Sequence, residues 1–126
     1  GGLLARPRDL ARFALLFTPS HNVVSELPLI TETHIDRLLY QGRPELLASQ
    51  ENLPEGAKHN SYQWDLVFED GTLYKGGWAG QGVMINPIHD YVFVWNSYFK
   101  DKDESETKLT PIMFYLAKNL IREKSE

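Results

Sequence analysis

The sequence predicts an α+β fold: an antiparallel sheet of at least four strands, helices before it, and a C-terminal helix packed on it. Three observations carry this. Apolar residues recur at helical spacing near both ends of the chain. From Ser61 they recur at a period of two. No strand–helix–strand alternation of the parallel α/β kind joins the two patterns. The expected organisation is one segment, 1–126, with helices and loops over 1–60, antiparallel strands over 61–98 and a helix over 110–124.

Pro7 suits the first turn of a helix, where its missing N–H has no partner to lose, and Asp9 favours the positive end of the helix dipole. Leu10, Phe13, Ala14 and Phe17 then mark one buried face. Pro19 ends the helix and disfavours helical geometry at Thr18. A second helix is predicted from Glu32 or His34 to Tyr40, with Thr31 or Thr33 as its cap, Ile35, Leu38 and Leu39 as its apolar stripe and Gln41-Gly42 as its stop. Arg43 to Ala48 reads as one or two further turns. Ser49 to Asn60 has no period and is expected to run as a loop over a surface supplied from elsewhere.

Tyr62, Trp64, Leu66 and Phe68 alternate with Gln63, Asp65 and Val67 as a half-buried strand. Asp70-Gly71 is a hairpin turn, because both residue types accept a positive φ. The return strand runs from Thr72 to Trp78, a third strand from Val83 to Asn86, and Pro87 to Asp90 is a four-residue turn. Tyr91 to Trp95 is apolar on both faces, which predicts a central strand. Lys100 to Lys108 reads as a charged loop. Thr110 and Pro111 then open a last helix that buries Ile112, Met113, Leu116, Ala117, Leu120 and Ile121, with Arg122 and Lys124 at its negative end.

Composition excludes several function classes. Apolar residues make up 42% of the chain and aromatic residues 12%, too many for a mainly disordered protein. Cysteine is absent, so disulfides and thiolate ligands are excluded. A formal charge of −4 argues against nucleic acid as a partner. No apolar run approaches the roughly 18 residues of a membrane span. Gly1-Gly2-Leu3-Leu4 is no signal peptide, and without an initiator methionine the chain is expected to begin inside a longer reading frame.

The chemistry concentrates in Tyr74-Lys75-Gly76-Gly77-Trp78-Ala79-Gly80-Gln81-Gly82. Glycines clustered among strands mark bulges or close approach by a ligand or another backbone. Lys75 then reads as a cation at the mouth of a cleft floored by bare backbone, or else as a strand-edge lysine before a glycine-rich connection. His21, His34, His59 and His89 form no zinc pair, and although His34 and Asp36 stand close, no metal is expected. There is no G-x-S-x-G elbow, and the serines are expected to supply no Ser-x-x-Lys pair. Asp65, Glu69 and Asp70 surround a hairpin, where an acid/base pair or plain turn and surface roles are both open. Most aromatics fall between Tyr62 and Tyr115, as a core or as a stacking surface for flat ligands.

Several segments resemble a known family. Gly1-Gly2-Leu3-Leu4-Ala5-Arg6-Pro7-Arg8-Asp9-Leu10-Ala11-Arg12-Phe13 is similar to the "GGL…T-x-R-D-L-A-R-F" helix of serine β-lactamase-related hydrolases. These include class C β-lactamases, D-alanyl-D-alanine carboxypeptidases and related esterases. Lys75 to Gln81 resembles that family's third motif, a Lys or His, one residue and a Gly on the strand lining the active site. Val83 to Pro87 and Asp90 to Val94 resemble the hairpin that follows, and the final helix resembles the C-terminal helix packed on its sheet.

The resemblance implies acyl transfer through a serine nucleophile that lies upstream of the first helix, so that this chain is the C-terminal part of a hydrolase and carries no complete catalytic set. It further implies that Lys75 supplies positive charge, Gly76 and Gly77 admit substrate backbone, and the Trp78 N–H is an oxyanion donor. No cofactor is implied. The implied partners are the missing N-terminal part or a second copy, and in the whole enzyme a small acyl substrate. Gly76 stands where the lactamase motif has Thr, which favours ester, amide or peptide substrates over β-lactams. The competing expectation is a non-catalytic ligand-binding or interaction module built on the aromatic sheet.

Overall fold

The computed structural model describes residues 3–98 and 102–125, the side chains of 102–107 and 121–125 excepted. Helix α1 (Pro7–Leu15) begins at its proline and carries Asp9 in its first turn. Helix α2 (Glu32–Tyr40) is capped by Thr31, whose hydroxyl accepts the His34 N–H. Between them Pro19–Val23 forms a 3-10 turn, and Pro44–Leu46 forms another after α2. Five strands follow: β1 (Ala57–Ser61), β2 (Trp64–Phe68), β3 (Leu73–Gly76), β4 (Gly82–Asn86) and β5 (Tyr91–Trp95). Helix α3 (Lys102–Ser125) closes the chain. The fold is α+β.

The strands pair antiparallel in sequence order, β1-β2-β3-β4-β5. Side chains alternate across such a sheet, so β2, β3, β4 and β5 each serve two cores. On one face Val67, Leu73, Val83 and Ile85 meet Ala14 of α1 and Leu38 and Leu39 of α2. On the other, Leu66, Phe68, Tyr74, Met84 and Trp95 meet Met113, Phe114 and Ala117 of α3. The result is three layers: helices, sheet, helix.

Several expectations need correction. Ala57–Ser61 is a strand, not part of a loop. Its inward residues, His59 and Ser61, are buried but polar, so no hydrophobic period announces it. Tyr62 and Gln63 do not extend β2: φ of 42° and 73° make them the turn between β1 and β2. That turn also breaks the predicted alternation, with Trp64 edge-on to Phe17 at 5.5 Å on the α1 face while Leu66 and Phe68 face α3. Strand β3 stops at Gly76 and not at Trp78. β5 is an edge strand among the described residues, not a central one. It is apolar on both sides because Val92 and Val94 join the first core and Phe93 and Trp95 the second.

The last helix starts at Lys102 and not at Thr110, and holds Pro111 in its interior. Leu109 packs against the same core as Met113 and so belongs to the helix, which continues at the loss of one backbone hydrogen bond. Lys100 and Asp101, expected in a loop, lie outside the described residues. The buried face is also rotated: Leu109, Met113, Phe114 and Ala117 pack inward, whereas Ile112, Leu116 and Leu120 are exposed. On α1, Phe13 is exposed rather than buried.

Candidate functional site

Strands β3 and β4 set the glycine-rich segment. Lys75 pairs with Val83 and Gly76 with Gly82, and the connection turns back at Gly77, whose N–H donates to the Gln81 carbonyl at 2.8 Å. Trp78–Gly80 forms a 3-10 turn in which Ala79 takes a left-handed φ of 59°. A non-glycine residue there is strained, and surrounding contacts must hold it. Two do. The Trp95 indole N–H donates to the Gly80 carbonyl at 2.7 Å, and the Ser97 hydroxyl donates to the Ala79 carbonyl. Gly82 lies flat beneath Trp95, where a Cβ would stand 2.2 Å from Cζ2.

Tyr74 is buried, stacked on Trp95 and edge-on to Phe114. Lys75, on the opposite face of β3, is half exposed and pairs with Asp65: Nζ lies 2.6 Å from Oδ1. The other carboxylate oxygen, Oδ2, accepts the Gly76 N–H at 2.8 Å. Trp78 projects outward, 67% exposed. The strand end thus joins a cation, a backbone donor and a carboxylate, with an exposed indole two residues on.

A cleft of about 790 Å³ lies elsewhere, between α3 and the sheet. Leu66, Phe68, Tyr74 and Met84 floor it and Phe114 walls it. Glu55, Glu69 and Asp70 give it an acidic rim, with Lys118 Nζ 3.9 Å from the Glu55 carboxylate. The Tyr91 hydroxyl lies 2.8 Å from Thr72 Oγ1. Burial pushes the Tyr91 phenol up to about 12, with the Asp70 charge adding and the Thr72 hydrogen bond opposing. Of the glycine-rich segment this cleft takes Tyr74 alone; Lys75, Gly76, Gly77 and Trp78 do not line it.

The three hairpin carboxylates are dispersed. Asp65 engages Lys75 and Gly76, Asp70 Oδ1 accepts the Thr72 N–H at 2.9 Å, and Glu69 sits on the cleft rim. The histidines are dispersed too. His21 Nδ1 lies 3.2 Å from the Ser25 carbonyl, His34 meets the Tyr62 ring, and His89 is exposed. His59 is in the core, with Nε2 2.9 Å from the Leu39 carbonyl and its ring filling the space above Gly42. Among the described residues no three carboxylate or histidine side chains gather as a metal site.

The expectation about serines fails against the sequence itself. Ser97 precedes Lys100 by three residues and Ser105 precedes Lys108 by three, so two Ser-x-x-Lys spacings exist. Ser97 follows β5, and its hydroxyl is donated to the Ala79 carbonyl. Lys100 lies outside the described residues. Ser105 is among the residues whose side chains lie outside the description. Asp65, expected from the sequence as one of an acid/base pair or as a turn or surface residue, instead pairs across the strands with Lys75. Comparisons with protein-family models, curated proteins and solved structures find no match to this chain.

Proposed function

We propose that this chain is the C-terminal part of a β-lactamase-like serine hydrolase that works by acyl transfer on an ester, amide or peptide. The observation that carries the proposal is the end of β3. A lysine and two glycines run into a strained turn, followed by the hairpin and packed helix in the order the resemblance implies. In this scheme an upstream serine loses its proton and attacks the acyl carbonyl, the bond to the alcohol or amine breaks and that group leaves protonated, and water then cleaves the acyl–serine ester to release the acid and restore the serine hydroxyl. Lys75 supplies positive charge, Gly76 and Gly77 let substrate backbone lie against the strand, and the Trp78 N–H meets the oxyanion. One such donor is worth about 3 kcal/mol of transition-state stabilisation. The missing N-terminal part of the enzyme, or a second copy, is the proposed partner. No helix among the described residues is long and apolar enough to cross a membrane.

Neither Ser-x-x-Lys spacing within the chain supplies the nucleophile in this proposal. The Ser97 hydroxyl is held by a carbonyl, which accepts no proton from an attacking alcohol. The chain alone is therefore expected to be silent. With nitrocefin and p-nitrophenyl esters it should match buffer, while the full-length gene product turns over at least the esters. Turnover by the chain, abolished by Ser97→Ala, would move the nucleophile to Ser97.

The cleft under α3 favours a second reading, a non-catalytic binding module. Its volume falls in the range of small-molecule sites, roughly 300–1,000 Å³. Its apolar floor and acidic rim suit an apolar amine. Phenethylamine titrated into the chain should then shift the Met84 methyl resonance saturably. A full-length product inert toward esters together with that shift would replace the hydrolase reading.

A further inference from the structure

We propose that Asp65 occupies the anion position of this site and so reserves it for uncharged acyl substrates, esters or amides with no carboxylate beside the reacting bond. The inference rests on the hydrolase reading above and names the substrate class of the same site.

An anion arriving at the end of β3 would find two donors, the Lys75 ammonium and the Gly76 backbone N–H. Both are already engaged by one internal carboxylate, Lys75 through Oδ1 at 2.6 Å and Gly76 through Oδ2 at 2.8 Å. The arrangement follows from register. Leu66 pairs with Tyr74 and Val67 with Leu73, so β2 sets Asp65 beside Lys75. A half-exposed lysine–carboxylate pair alone would exchange readily with water. The bond to Gly76 differs, because its donor is fixed in the backbone and its acceptor is charged, the stronger class of hydrogen bond. Asp65 is thereby anchored to the strand and holds Lys75 to itself.

A substrate carboxylate has to displace this anchor and then sit beside it as a like charge. A neutral ester or amide has not. Lys75 still lends its field to a developing oxyanion, but the pair offers no net charge to bind a ground-state anion. The glycine at 76 answers to packing and not to the carboxylate: a Cβ there would lie 2.7 Å from the Tyr74 hydroxyl but at an ordinary 3.5 Å from Asp65 Oδ2.

The test has two arms. In the chain itself, benzoate is titrated while the Gly76 amide and the Lys75 ammonium are followed by NMR. The wild type should show no saturable shift at millimolar benzoate. Asp65→Asn should bind it at least tenfold more tightly, and adding Lys75→Met should abolish that gain. Asp65→Ser serves if the asparagine variant fails to fold. In the full-length product, kcat/KM is compared for p-nitrophenyl acetate and the p-nitrophenyl monoester of succinate. Asp65→Asn should shift the ratio at least tenfold toward the anionic ester. Equal benzoate affinity in wild type and variant overturns the inference, whatever the activity. Absence of turnover on both esters overturns the hydrolase reading instead, and the benzoate arm still decides whether Asp65 fills the anion position.

Discussion

Gly76 is the residue where packing and proposed chemistry meet. The Tyr74 ring beside it cannot swing aside, since Trp95 stacks on one face at 6.0 Å and Phe114 abuts it at 4.7 Å. A threonine at position 76 would therefore meet a fixed hydroxyl where its Cβ must stand. Gly76→Thr should cost about 1–3 kcal/mol by overpacking. Chemical denaturation reads this directly, and an unchanged midpoint would show that Tyr74 yields. Tyr91 gives a second expectation at this scale. Its phenol is raised from 10.0 to about 12 by burial, so below about pH 10 both folded and unfolded chains keep the proton. Between the two values the unfolded chain ionises first, and stability falls as pH rises through that window. Absorbance at 295 nm should contain a tyrosine component near pH 12 that Tyr91→Phe removes. Asp65 was legible in principle. It stands five residues before Asp70, and Lys75 five after, so a hairpin turning at Asp70-Gly71 sets them opposite each other. Grouping Asp65 with its sequence neighbours Glu69 and Asp70 concealed the cross-strand partner.

At the level of elements, β3, β4, β5, α1 and α2 were readable because each has a period and punctuation that agree. Pro7 opens α1, Thr31 caps α2, and Gly71, at a φ of 83°, turns the β2–β3 hairpin. β1 was not readable. Its inward side chains, His59 and Ser61, are both polar, and His59 fits against the Leu39 carbonyl and Gly42. The start of α3 misled for the opposite reason. Thr110-Pro111 is a sound local signal for a helix beginning, yet Leu109 before it packs with Met113 and draws the helix through the proline. That conflict is measurable. An interior proline costs a helix about 3 kcal/mol relative to alanine, whereas at the first helical position it costs little. Pro111→Ala should raise the melting temperature and the 222 nm ellipticity. Unchanged values would place Pro111 at a helix start, with the segment before it outside the helix.

At the scale of the whole molecule, the three layers leave apolar surface on one side of α3 and an unpaired edge along β5. Ile112, Leu116 and Leu120 recur every fourth residue on α3, at 55%, 42% and 54% exposure. β5 has β4 on one side and no strand on the other among the described residues, while its side chains already belong to both cores. An added strand would extend both cores at once and satisfy the backbone groups of that edge. The hydrolase proposal assigns these surfaces to the missing N-terminal part or to a second copy. In the absence of the former, the chain should self-associate. Light scattering should report a mass above 14.5 kDa that rises with concentration. Leu116→Glu places a charge within the helix stripe and should lower that mass without changing the fold, because Leu116 lies outside the packed face formed by Met113, Phe114 and Ala117. Co-expression with the upstream coding region should suppress self-association and yield a stoichiometric complex. A monodisperse monomer at ~0.1 mM with a cooperative melt would mean that the three layers suffice by themselves. It would also remove the assembly argument for a missing part, leaving the hydrolase proposal to rest on the end of β3.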